Sequence, residues 1–305
     1  MSTQQESESS SDQDILAPAL MSRLNRLTLI APRAFTGSNA GKRLSRARGA
    51  EGMEFADHKE YSPGDDFRSI DWNVYARLDE LVVKNFETEE NLRIYVLIDV
   101  SASMNFGSPN KLALARRIAA ALAYIGFVNE DWSGVFAFCN NIQTRFLTTG
   151  KPKLRVLADF LGGLKPEGRT DFANAFRAFT IEQTRPGLVF ILSDFWAVDR
   201  LNEALKFLAY GRFCIAGLHI LDPLEESPAF GGEMDLCDLE SGETISLTTR
   251  GETEEQYRKL IKLHCMRVAG IFSAYNGVYQ KVSTTDNLET LLLQTLKRKS
   301  LIRQR

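Results

Sequence analysis

Asp99, Ser101 and Ser103 place one carboxylate and two hydroxyls on alternate residues of a short segment that begins at the carboxyl end of the apolar run Leu92 to Val100. A hard divalent cation such as Mg2+ takes oxygen ligands in near-octahedral geometry and keeps several waters. A set built largely from neutral hydroxyls can hold it and leave it ready for an added carboxylate. Mn2+ suits the same donors. On its own, Asp-x-Ser-x-Ser also describes an Asx or Ser turn capping the helix that follows. Two more oxygen donors extend the pattern. Thr170, beside Asp171, precedes a helix beginning near Phe172, and Asp194 closes the run LVFILSD. In an open α/β sheet the carboxyl ends of the strands form a rim where ligands bind, so these donors belong to one edge of one sheet.

The elements that must position them read as alternating strands and helices. LRIYVLIDV (Leu92 to Val100) is a nearly continuous β-branched, apolar run, the pattern of a strand covered on both faces. Lys111 to Val128 follows as a long helix rich in Ala and Leu. Further strands are expected at Gly134 to Cys139, Thr144 to Thr148, Leu188 to Leu192, Phe213 to Ile220 and Val278 to Val282. This rhythm predicts an α/β fold with a doubly wound, mainly parallel sheet. The link from Cys139 to Thr144 is too short for a parallel crossover, which makes one edge strand antiparallel. Met234 to Leu247, with Ser241-Gly242 at its centre, reads as an inserted hairpin before a helix starting near Thr253.

The chain therefore parses into residues 1–14, a Ser-, Gln- and acid-rich tail expected to be disordered; residues 15–89, an N-terminal arm; residues 90–285, the α/β domain; and residues 286–305, a C-terminal helix and basic tail. Within the arm, apolar residues from Leu20 to Leu29 recur at near-helical spacing.

The arm carries a second dense motif: Glu54-Phe55-x-Asp57, then Tyr61-x-Pro63-Gly64-Asp65-Asp66-x-Arg68-x-Ile70-Asp71-Trp72, then Ala76-Arg77. Pro63-Gly64 suits the centre of a type II turn. Its acids and arginines can form an ion-pair network fastening the arm or a surface for a partner, and Trp72 is expected to pack inward.

Asp99, Ser101, Ser103, Thr170 and Asp194 resemble the metal-ion-dependent adhesion site of von Willebrand factor type A domains. The resemblance implies a Rossmann-like sheet with an antiparallel edge. It also implies that the serines and threonine coordinate the cation, that the aspartates act mostly through water or hydrogen bonds, and that a protein partner donates a carboxylate. The upstream block resembles the bacterial domain-of-unknown-function family numbered fifty-eight, over about Gly49 to Val282. Here His58-Lys59 replaces an expected aromatic and arginine pair. Members of that family are commonly encoded beside MoxR-type AAA+ ATPases, which implies an adaptor that helps such an ATPase remodel or mature a client.

Bulk properties narrow the remaining classes. Apolar residues make up 44% and charged residues 25%, with a net charge of −2, so no nucleic-acid footprint is expected. No segment has the roughly 18 to 20 apolar residues that span a bilayer, and no secretory leader is visible. Cys139, Cys214, Cys237 and Cys265 form no C-x-x-C pair. A cytoplasmic, non-catalytic binding module is the expectation. Two rivals stand: a metal-dependent hydrolase using Asp57, Asp65, Asp66 and Asp71 with Asp99, and a metal-independent scaffold binding through the upstream block. Against the hydrolase, His58, His219 and His264 show no paired ligand spacing, and Ser101 stands where a phosphate-transfer motif would place a second acid.

Overall fold

The computed structural model describes residues 16–30, 44–47, 54–63, 67, 70–89, 92–148, 154–228, 232–237, 244–249 and 251–304. In chain order the elements are α1 (Pro18–Leu24), β1 (Leu27–Leu29), β2 (Leu44–Ala47), β3 (Glu54–Glu60), α2 (Trp72–Leu78), β4 (Val82–Glu89), β5 (Arg93–Asp99), α3 (Lys111–Val128), β6 (Trp132–Phe138) and β7 (Ile142–Thr148). There follow α4 (Leu154–Gly162), α5 (Phe172–Glu182), β8 (Leu188–Ser193), α6 (Leu201–Tyr210), β9 (Cys214–Leu221), α7 (Pro223–Glu226), β10 (Gly232–Cys237), β11 (Thr244–Thr249), α8 (Gly251–Ala274), β12 (Val278–Ser283), α9 (Leu288–Thr290) and β13 (Ile302–Gln304). Beyond α9 the helix continues as a π turn over Leu291–Leu296.

These elements divide into two compact units, one holding the described residues up to Ile30 and from Arg93 onward, the other those between Thr36 and Leu92. The larger unit is built on a six-stranded sheet of order β12-β9-β8-β5-β6-β7. Every neighbouring pair is parallel except β6 with β7, which is the antiparallel edge required by the short link after Cys139. The doubly wound α/β reading and its type A-like strand arrangement hold.

Strand β5 sits centrally because both its faces are apolar. Tyr95 and Leu97 join an aromatic core with Phe136, Phe179, Phe213 and Phe272, drawn from α5, α8 and the sheet. The alternate residues Ile94, Val96 and Ile98 are equally buried on the other face, since successive strand side chains point opposite ways. There α3 packs on β5 and β6. It comes so close that a Cβ on Gly126 would fall 2.2 Å from Ser133 Oγ. Helix α3 is buried almost all round from Ile118 to Phe127 because α1, β1 and α4 cover its other side. Asn129, just past its end, fastens β1: its side chain donates to the Leu27 carbonyl at 2.8 Å and accepts from Thr28 Oγ1 at 2.9 Å.

Most of the exposed positions on the sheet's two outer strands are polar, Leu147 on β7 being an apolar exception. Gln143, Thr144 and Arg145 are exposed on β7, with Arg145 paired to Glu182. On β12, exposed Lys281 pairs with Glu226 at 2.7 Å.

Three sequence expectations are corrected. The near-helical Leu20–Leu29 pattern holds only to Leu24. Leu27–Leu29 pairs antiparallel with Ile302–Gln304, and this partner overrides local periodicity. The arm is not one piece, since its first part belongs with the sheet and its remainder forms the smaller unit. The basic tail is part strand: Lys297, Arg298 and Lys299 end the helix in solvent as expected, but Arg303 lies in β13. The inserted hairpin is present as β10–β11. The tail 1–14 lies outside the described residues.

The smaller unit is an antiparallel sheet of order β2-β4-β3 with α2. Ile70, Val82 and Val83 are buried in it. Asp71 begins α2, its Oδ1 accepting from the Asn73 amide at 3.0 Å.

Candidate functional site

Strand β5 ends on Asp99, fully buried at the carboxyl rim. The backbone then turns sharply. The Ser101 amide donates to Asp99 Oδ1 at 3.0 Å, and a single 3-10 turn over Ala102–Asn105 carries Ser103 back toward Ser101. The Ser101 and Ser103 hydroxyl oxygens lie 3.0 Å apart. The loop bearing Thr170 is clamped alongside: the Glu167 amide donates to the Val100 carbonyl at 2.8 Å, and the Ala102 amide donates to the Gly168 carbonyl at 3.0 Å. Gly168 has φ +82°, a left-handed value that glycine adopts without strain. Thr170 Oγ1 thereby reaches both Asp99 oxygens at 3.2 Å. Asp171 caps α5, accepting from the Asn174 amide at 3.1 Å.

Four of the five sequence-predicted donors thus form one hydrogen-bonded group, and the fifth is engaged elsewhere. Asp194 is buried on β8's end, the neighbouring strand, and its Oδ2 accepts from Lys111 Nζ at 2.6 Å. The same ammonium donates to Glu225 Oε1 at 2.6 Å, and Lys111 is fully buried. Glu225 is held in turn by a capping box with Asp222 at the start of α7. Trp196 Nε1 also reaches Glu225 at 3.3 Å, while its indole stacks on His264 at a centroid distance of 4.9 Å.

Three participants escaped the sequence reading: Ser193, Lys111 and Glu225. Ser193 Oγ donates to Asp99 Oδ2 at 2.6 Å and accepts the Phe195 amide at 3.0 Å. A signal for Lys111 existed. It is the first residue of α3, where the positive end of the helix dipole disfavours a cation, so a lysine there needs carboxylates from elsewhere. Glu225 carried no comparable signal.

The electrostatics follow from burial. Asp99 is pushed up to about 7, first because it is desolvated and second because the Asp194 carboxylate is near, while hydrogen bonds from Ser193 and Ser101 act against the rise. Desolvation would depress Lys111, but Asp194 and Glu225 outweigh it and hold its ammonium above the ordinary lysine value. Burial drives His219 down to about 3, a neutral imidazole whose Nδ1 meets Tyr279 Oη at 2.8 Å. Asp194 and Glu225 share the Lys111 ammonium, while Asp99 is held by Ser193, Thr170 and the Ser101 amide and has no cationic partner among the described residues. The Asp99 carboxyl beside two mutually bonded serine hydroxyls and the Thr170 hydroxyl is a donor set that fits a hard divalent cation.

The upstream block is only partly described. Asp71 Oδ2 lies 3.1 Å from His58 Nε2, so the departure at His58 supplies a partner within the smaller unit. Trp72 is corrected: it is 59% exposed, edge-on to Tyr75 at 6.1 Å, with Leu78 66% exposed at the far end of α2. Arg77 is exposed and Tyr61 half-buried. Glu54 and Asp57 lie on β3, with side chains outside the described set. Gly64, Asp65, Asp66 and Arg68 lie outside the described residues, as does Gly242 at the centre of the inserted hairpin.

The family described as "Protein of unknown function DUF58" matches residues 57–266, more than half of the chain. The chain belongs to the DUF58 family. Three mycobacterial proteins, each described as uncharacterized, are 27% identical to this DUF58 chain over 262 residues, 84% of it and 82% of each of them: Rv1480 and MT1527 of Mycobacterium tuberculosis and Mb1516 of Mycobacterium bovis. Among solved structures, the conserved hypothetical protein BatB from Bacteroides thetaiotaomicron overlaps 68% of this chain and 98% of its own, at 16% identity and a TM-score of 0.42. The SpRpn10 VWA domain overlaps 68% and 95%, at 12% identity and a TM-score of 0.37. The type A character of this DUF58 sheet is carried by its own strand order and antiparallel edge. No helix among the described residues is long and apolar enough to cross a membrane.

Proposed function

We propose that this DUF58 protein is a non-catalytic, divalent-cation-dependent protein-binding module. Asp99, Ser101, Ser103 and Thr170 would hold Mg2+ or Mn2+, with Asp194 acting from behind. When bound, the cation supplies an electron-poor centre that takes a carboxylate from a protein partner. The chain's own residues do the rest. Ser193 and the Ser101 amide orient Asp99, the Gly168 loop delivers Thr170, and the 3-10 turn aligns the two serines. The observation that carries this reading is a fully buried carboxylate that has no counter-cation among the described residues and lies beside paired hydroxyls. Family resemblance adds a MoxR-type AAA+ ATPase as the associated machine, for which the module would act as an adaptor in remodelling or maturing a client.

Calorimetric titration tests the cation: wild type should bind Mg2+ or Mn2+, and Asp99→Ala should lose that response. Equal titrations of the two proteins would remove the reading. Affinity capture from the native cell, with and without chelator, tests the partner; recovery of a MoxR-type ATPase only without chelator is the expected outcome.

A second reading has its own observation. Trp72, Leu78, Phe67 and Leu81 expose large apolar surface on the smaller unit, with Tyr75 beside Trp72, and such surface marks contact sites. Trp72→Ala should change the unfolding free energy by less than about 0.5 kcal/mol, as surface changes do. If it abolishes capture while Asp99→Ala does not, the partner is held by the upstream block and the rim is incidental.

A further inference from the structure

Lys111 is the least expected charge in the fold. A lysine can satisfy itself by extending into water, yet this one is fully buried at the dipole-disfavoured end of α3 and spends its ammonium on two carboxylates from two other elements. One of them, Asp194, is a predicted cation-site residue. The other, Glu225, lies on α7 and is fixed by Asp222. Full burial rules out Lys111 as a direct contact for a partner's carboxylate. Its ammonium can act only on the charges around it.

Its position decides what that action is. With one oxygen bonded to Lys111 at 2.6 Å and the other weakly engaged by the Trp196 amide at 3.4 Å, Asp194 cannot turn fully toward the serines without giving up its ammonium. Lys111 and a divalent cation would compete for the same negative charge. We propose that Lys111 is a built-in counter-cation that sets the affinity of the Asp99 rim for a divalent ion and keeps Asp194 out of direct contact with it. Glu225 is the opposing control, drawing part of the ammonium's charge away from Asp194. The inference rests on the cation reading above and adds a residue that tunes it.

Charge alone gives the two control residues effects of opposite sign. Removing the ammonium in Lys111→Met leaves Asp194 free to face the ion, so Mg2+ should bind at least about tenfold tighter than to wild type. Removing the Glu225 charge in Glu225→Gln deepens the hold of Lys111 on Asp194 and makes the rim less negative, so Mg2+ should bind at least about threefold weaker. A merely structural ion pair predicts weakening in both. The experiment is calorimetric titration of the full chain with MgCl2, in wild type, both variants and Asp99→Ala, with circular dichroism confirming the fold. If wild type binds Mg2+ and Asp99→Ala does not, but the two variants shift in the same direction or not at all, the role of Lys111 is overturned and the cation site stands. If wild type shows no Mg2+ binding, both ideas fall. Should Lys111→Met not fold, Glu225→Gln decides: its side chain is 12% exposed and lies at the rim, and an unchanged affinity there overturns the proposal.

Discussion

With metal removed, the protein should become less stable as pH rises from about 4 to about 7, and Asp99→Asn should erase most of that loss. The sign follows from linkage. Asp99 moves from its ordinary 3.8 to about 7 in the folded state, chiefly through burial and then through the Asp194 carboxylate. A group whose folded pKa is raised stabilises the fold while protonated, and that contribution disappears as pH climbs through the folded value. The interval corresponds to an upper bound of about 4 kcal/mol at roughly 1.36 kcal/mol per pKa unit. Asparagine retains only one of the two acceptor oxygens that serve Ser101, Thr170 and Ser193, so the realised gain of Asp99→Asn over wild type at pH 8 should be about 2 kcal/mol. Added Mg2+ should reverse the order, because it stabilises only the chain that retains the carboxylate. Urea unfolding at acid, neutral and mildly alkaline pH, in chelator and in Mg2+, measures all of this. Parallel curves for the two proteins in chelator would show that Asp99 is not the strained charge described above.

Phe179→Ala should cost about 3–5 kcal/mol, the range for emptying an aromatic site in a packed core. Phe179 is fully buried, and its ring meets Tyr95 at 5.3 Å, Phe136 at 5.1 Å and Phe213 at 5.4 Å. These partners come from β5, β6 and the residue just before β9, so the cavity would open under three parallel strands at once. The effect reaches the rim, since α5 carries Asp171 at its start with Thr170 directly before it. The matched control is Ile181→Ala two residues on. That side chain is 71% exposed, and its loss should stay within about 0.5 kcal/mol. Urea midpoints that differ little between the two variants would mean that the aromatic cluster does not hold the sheet.

The parts of the fold readable from sequence were those where one local pattern decides the outcome. LRIYVLIDV has no polar face to turn outward, so it could only be a strand covered on both sides, and it is β5. The short link after Cys139 allowed only antiparallel pairing. Leu27–Leu29 misled because three residues carry too little periodicity to compete with a partner strand far along the chain. At the rim, Asp99, Ser101 and Ser103 were legible because they share one loop, and Thr170 because it precedes a helix. Lys111 and Glu225 became meaningful only when α3, β8 and α7 met, a convergence that residue spacing cannot encode. Trp72 was misread because a large aromatic is usually buried, and nothing nearby in sequence shows that α2 turns it outward.

The mostly polar outer strands of the sheet also bear on how the molecule behaves in a crowd. A parallel sheet ends in rows of unpaired amides and carbonyls that can recruit another chain, and fibrils grow from such rows. Arg145 on one border and Lys281 on the other would force any incoming strand to bury or displace a charged side chain that is already paired with Glu182 or Glu226. Neutralising both borders would therefore be expected to show itself first as concentration-dependent aggregation, before any loss of the native fold.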